Sequence, residues 1–280
     1  MPRRVRRFRA VLAVAVAVLG AVGCATTDSG GPRVASNPAV KLEPLTQEIA
    51  DTTVSFEMVP VPAGTITIET ENGPKEVEVG PFWISPTELT WDLYDVFQFR
   101  LDRRRSAEGS DADAVTRPSK PYLPPDRGYG HAGYPAISIS YKGADSFCQW
   151  LSLKTGRTYR LPTEAEWQYV CRLGEVDDNA IDEFAWHKGN TDYTTKPVAT
   201  LKPDARGIYD MYGNVAEWCT DLEGDPVTYG GSFQDTPDNL GWTARMPPSE
   251  RWNDSDPQIP KGTWWLADCG FVGFRIVCVP

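Results

Sequence analysis

From Asp177 to Pro260 the sequence is dense in Gly, Pro, Asn, Trp and Tyr and sustains neither a helical nor a strand period, apart from brief apolar runs such as Pro226–Phe233. A stretch of this kind cannot be held by repetitive hydrogen-bond ladders. It has to be fixed by buried aromatic side chains and by loop staples, for which metal ions and disulfides are the usual devices. With short strands and only two or three well-marked helices elsewhere, the expected fold class is α+β with little regular secondary structure.

The regular elements have local signals. Glu57–Ile68 (EMVPVPAGTITI) reads as a strand interrupted by a Pro-Ala-Gly turn, with Val77–Ser85 (VEVGPFWIS) as its partner. Thr90 is placed to cap a helix whose Trp91, Tyr94, Phe97 and Leu101 share one face. Asp102–Tyr134 is polar, Pro/Gly-rich and aperiodic, which predicts a long surface excursion. Ser140 caps a second helix, with Ala144, Phe147, Cys148 and Leu151 on one face and Gly156 at its end. Thr163-Glu164-Ala165-Glu166 spells a capping box, with Gly174 closing that helix, and Phe271–Val279 reads as a final strand.

The N-terminus carries an address. Arg3, Arg4, Arg6, Arg7 and Arg9 precede an apolar run, Ala10–Val22, that is shorter than the roughly 20 residues a membrane crossing needs. Ala21-Val22-Gly23-Cys24 then resembles a lipobox, so residues 1–23 are expected to be a lipoprotein signal peptide and Cys24 the lipidated residue; an ordinary secretory leader is the alternative. Residues 24–53 read as a flexible tether and 54–280 as one domain. The chain is expected to be exported and held at a membrane through its lipid. Without the five leader arginines the formal balance goes from 28 basic against 38 acidic residues to 23 against 38. No basic cluster remains to follow phosphates, which argues against a nucleic-acid partner.

Met58–Gly64 (MVPVPAG), Pro135–Gly174 with its RLPTEAEW, Gly207–Asp221 with its GNVAEW, Gly230–Phe233 (GGSF) and Gly273–Val277 (GFRIV) together resemble the formylglycine-generating enzyme, or sulfatase-modifying factor, family. The motifs occur in the family's order and cover nearly everything after the tether. The resemblance implies a fold like that of C-type lectins with bound structural calcium, held here by Asp210 and Glu217 carboxylates and Gly213 and Val215 carbonyls. It also implies a disulfide between Cys148 and Cys278. Cys171, Cys219 and Cys269 are left without an assigned partner, and buried free thiols are the simple alternative.

Active members of the family oxidise a substrate cysteine with oxygen and a copper ion held by two cysteines after the GGS motif. Here Asp235 and Leu240 occupy those places, and neither offers the soft thiolate that Cu(I) selects. Ala216 stands where the resemblance implies an aromatic residue, and Phe271 where it implies a polar one. A related branch uses iron on a histidine-rich site, but this chain has only His131 and His187. Copper and iron are therefore not expected. Ser232, Asp235, Asp238 and Asn239 are the polar pocket candidates, and Trp242, Trp252, Trp264 and Trp265 form either an aromatic binding face or core. Three functions stay open: a noncatalytic envelope module binding a peptide, glycan or envelope protein; a metal-dependent oxidase using other residues; and formylglycine generation by another arrangement.

Overall fold

A computed structural model of the chain describes residues 41–103 and 109–280. The expected signal peptide, the lipidation site Cys24 and most of the expected tether lie outside the described residues. The remainder of that tether does not. Leu45–Glu48 is a strand, β1, paired antiparallel with β2 (Ser55–Val61). Ile49 is buried and the Trp83 indole donates to the Glu43 carbonyl at 2.7 Å. The domain boundary drawn at residue 54 therefore moves back to include β1. Its sequence, LTQE, has one apolar residue and carried no strand signal of its own.

The run expected as one interrupted strand is two. After Val61 the chain turns into β3 (Gly64–Thr70), which pairs along its whole length with β4 (Gly73–Val79) as a separate two-stranded ribbon. The predicted partner Val77–Ser85 divides likewise, because its second part, β5 (Phe82–Ile84), pairs with β2. Helix α1 (Trp91–Gln98) follows, stopping before Leu101, which is exposed; Thr90 occupies its N-cap without a side-chain capping bond. Among its described residues the excursion contains one short helical turn, α2 (Asp111–Ala114).

Local sequence succeeds best in the next two helices. In α3 (Tyr141–Thr155) the Ser140 hydroxyl accepts from the Gly143 amide, and Gly156 ends the helix at φ 72°, a conformation open to glycine. In α4 (Glu164–Leu173) both halves of the capping box form. Between them, β6 (Thr158–Arg160) joins the first sheet.

The second sheet holds β7 (Ala216–Thr220), β8 (Pro226–Gly230) and β9 (Gly241–Met246), bordered by β10 (Val272–Gly273), which runs parallel to β7. The final strand, β11 (Val277–Val279), lies between β5 and β6, so the first sheet reads β1-β2-β5-β11-β6. The predicted closing strand is thus two short pieces belonging to different sheets, with Phe274, Arg275 and Ile276 spanning the gap.

Two apolar clusters fill the interior. One joins α1 and α3 through rings that meet at 5.6–5.8 Å between centroids, Tyr94 and Phe97 on α1 against Phe147 and Trp150 on α3. Such pairs contribute about 0.5–1.5 kcal/mol each beyond their burial. The other packs α4 against β3, β4, β7 and β8 around Trp167 and Tyr229. Among the described residues no helix is long and apolar enough to cross a membrane.

Candidate functional site

The GGSF turn and the residues after it border a cavity of about 360 Å³ lined by Gly231, Asp235, Asp238, Asn239 and Arg245. Ala216 also lines it, so the small side chain at that position leaves the wall open. Ser232 does not face it as a nucleophile. Its amide and its hydroxyl both donate to Asp235 Oδ2 at 2.9 Å, and the Asp235 amide returns a bond to the Ser232 carbonyl. The pair is a turn lock, which explains why a serine and an aspartate occur at this spacing. Leu240 plugs the turn, its side chain so close over Gly231 that a Cβ there would approach Leu240 Cδ2 to 2.6 Å. Asp238 and Asn239 are exposed at the rim.

Copper does not fit this place. One of the two positions offers hydrocarbon and the other a carboxylate already engaged by Ser232, whereas Cu(I) takes thiolate or thioether donors. The five described cysteines supply none. Cys148, Cys171, Cys219, Cys269 and Cys278 are all buried free thiols. Burial raises every one of them, Cys171 to about 12, so they are held as inert thiols. The expected Cys148–Cys278 disulfide is accordingly absent. Cys278 instead sits beside Tyr159, with its Sγ 3.7 Å from the Val279 carbonyl, while Cys148 lies against the aromatic cluster of α1 and α3.

Three of the family-like motifs meet at one buried carboxylate. Glu217, from GNVAEW, receives the Arg275 guanidinium of GFR twice, Nε to Oε2 and Nη2 to Oε1, both at 2.6 Å. The Trp167 indole of RLPTEAEW adds a third bond to Oε2 at 2.7 Å. Arg275 is wholly buried and also donates to the carbonyls of Ser85, Tyr209 and Asp210.

Beside this pair, the Gly-Asn turn is knotted into its surroundings. Gly213 has φ 73° and Asn214 φ 48°, and a Cβ on Gly213 would come within 2.2 Å of the Trp186 carbonyl, so only glycine fits. The Asn214 side chain donates to Glu88 Oε2 at 2.8 Å and accepts from the Lys196 amide, while the Val215 amide donates to Glu88 Oε1. Glu88, fully buried, was invisible in the sequence as a partner of this motif. Desolvation pushes its carboxyl well up, helped by the charges of Asp210 and Glu217.

The expected calcium set is therefore not arranged to receive the ion. Asp210 keeps Oδ1 without a partner, and burial raises it to about 6. Glu217, however, has both oxygens spent, and seating a cation on it would strand the buried Arg275. Among the described residues no group of three or more His, Cys, Asp or Glu is placed to hold a metal ion.

The histidines are separate and each has its own carboxylates: His131 bridges Asp95 (2.9 Å) and Asp126 (3.2 Å), and His187 meets Asp182 at 2.5 Å. The four tryptophans after GGSF divide between core and rim. Trp252 and Trp264 are buried; Trp265 donates to the Ser119 carbonyl and stacks on Trp91; Trp242 lies under Arg172 at 4.2 Å.

A profile described as "Sulfatase-modifying factor enzyme 1-like domain" matches residues 46–277, nearly the whole of the described chain. The chain belongs to the sulfatase-modifying factor family. The match begins inside β1, in agreement with the revised boundary. Among relatives of this sulfatase-modifying factor domain, "Chaperone protein LppX" of Paenibacillus barcinonensis is 28% identical over 219 residues, covering 64% of this chain and 76% of that protein. The "Formylglycine-generating enzyme" of Streptomyces coelicolor is 26% identical over 160 residues, covering 50% of this chain but only 40% of the enzyme. Among solved structures, Treponema denticola variable protein 1 shares the fold with a TM-score of 0.62 at 21% identity, over 86% of this chain and all of that one.

Proposed function

We propose that this chain is an exported, lipid-anchored binding module of the sulfatase-modifying factor family that holds a polypeptide at the cell envelope and does not oxidise it. The observation that carries the reading is the state of the GGSF turn, where an engaged aspartate and a leucine plug stand in the two places that copper would need, with no exposed thiol elsewhere in the described chain. An oxidation of a peptide cysteine has no donor set here to hold its metal. A polypeptide ligand is favoured over a glycan because a family relative matched over 76% of its own length is named a chaperone, and because the tryptophans that would stack on sugars are buried or half-buried.

Oxidoreductase activity of the formylglycine-generating type is the competing reading, supported by the likeness to enzymes of that name. Elemental analysis of the purified chain, together with incubation of a cysteine-containing sulfatase-type peptide under oxygen, separates the two. We expect neither copper nor iron at stoichiometric level and no mass loss at the peptide cysteine. Tightly held copper with conversion of the thiol to an aldehyde would establish the competing reading. Stoichiometric calcium would mean that Glu217 releases Arg275 and would revise the pairing described above.

A further inference from the structure

Seven large apolar side chains are more than half exposed among the described residues, and three of them border one cavity: Phe99 (58%), Tyr122 (70%) and Leu123 (51%). The cavity, about 610 Å³, shares no lining residue with the one behind GGSF. Its other walls are Pro118, Pro121, Pro124 and Pro125, which have no amide hydrogen and fix their own backbone and that of the residue before each. The Tyr122-Leu123 ridge is thus presented rigidly, with little order left to lose on binding.

At the inner end Trp91 and Asp95 also line the cavity, and each keeps a polar atom without a partner, the indole Nε1–H and the carboxylate Oδ1. The ring beside them is His131, stacked on Trp91 at 5.1 Å and held by Asp95 and Asp126, with 45% of its side chain exposed, so a ligand reaching the indole N–H has to displace it.

We infer that this groove seats an extended apolar segment of a partner polypeptide, one residue of which supplies from its backbone the carbonyl that Trp91 lacks and the N–H that Asp95 lacks, with apolar side chains of the segment on Phe99, Tyr122 and Leu123. In an extended chain the N–H and C=O of one residue face the same side and offer that donor and acceptor together; a purely apolar occupant would leave both atoms unmet. The inference rests on the proposed reading of the chain as a polypeptide-binding module and names the site for it.

The test is fluorescence anisotropy of the full chain with labelled, reduced and carboxymethylated α-lactalbumin, which stays unfolded. The unaltered chain is expected to bind. Replacing Tyr122→Ser together with Leu123→Ser, both exposed and so harmless to folding, is expected to weaken binding by about tenfold or more. Trp91→Phe, which keeps an aromatic ring but removes the indole donor, is expected to weaken it several-fold, with its melting temperature measured alongside to separate this from loosened packing. Asp238→Ala with Asn239→Ala, on the other cavity, is expected to change nothing. If the unaltered chain does not bind the probe, the polypeptide-binding reading itself fails. If it binds and the Tyr122/Leu123 variant binds equally well, the reading survives and this groove is not the seat.

Discussion

His131 shows how a single side chain gains a role from position. Burial disfavours its charged form, but hydrogen bonds and charges from Asp95 and Asp126 outweigh that and raise its pKa above the usual 6.5. A histidine whose folded pKa is raised contributes stability that is fully present below the unfolded pKa and disappears as pH climbs through the folded one. His131→Gln is therefore expected to lower the melting temperature at pH 6 and to have little effect at pH 8.5. A gap between the two proteins that is equal at both pH values would show that the imidazolium charge is not what matters.

The same scale marks what the sequence conceals. Asn214 and Glu217 were legible as a motif but not as to purpose, because the partners that decide it, Glu88 and Arg275, lie far away along the chain. Asp210 and Glu217 look like two metal ligands until the guanidinium that claims one of them is placed. Asp235 does line the cavity, but its bonds to Ser232, which keep that serine out of it, follow from a turn that nothing in composition announces.

Among the elements, those with a complete local signature were the ones legible in advance. Helices α3 and α4 have a capping hydroxyl, an apolar face and a glycine stop within one short window. Strands were legible as strands but not as pairs, since the choice between β3–β4 and a continuous β2–β3 depends on which edge β5 and β11 occupy. The gap between β10 and β11 matters most here. Arg275 stands in it, bonded to β7 through Glu217 and to the chain leaving β5 through the Ser85 carbonyl, and so ties the two sheets together. Arg275→Met is expected to destabilise the domain by about 3–5 kcal/mol, the cost of leaving a buried carboxylate without its cation. Equilibrium unfolding in urea measures it; a loss under about 1 kcal/mol would mean that Glu217 takes up a proton at little cost or finds another cation.

At the scale of the molecule, the expectation that covalent staples compensate for scarce regular structure is not met in the described chain. Aromatic packing and buried ion pairs do the work, with Trp91, Trp150, Trp167 and Trp218 all fully enclosed. The melting temperature should therefore be indifferent to added reductant. The five thiols at Cys148, Cys171, Cys219, Cys269 and Cys278 should resist an aromatic disulfide reagent until the chain is unfolded, after which all five should react. A fall in melting temperature on reduction, or a shortage of thiols after unfolding, would contradict this.

The place of β11 bears on how much of the chain the protein can lose. Because β11 is an interior member of the first sheet, between β5 and β6, a chain without residues 272–279 has a slot where that strand belongs and no arginine for Glu217. The two sheets are joined only once this segment is seated, so a chain cut before residue 272 is expected to lose the closure of both at once.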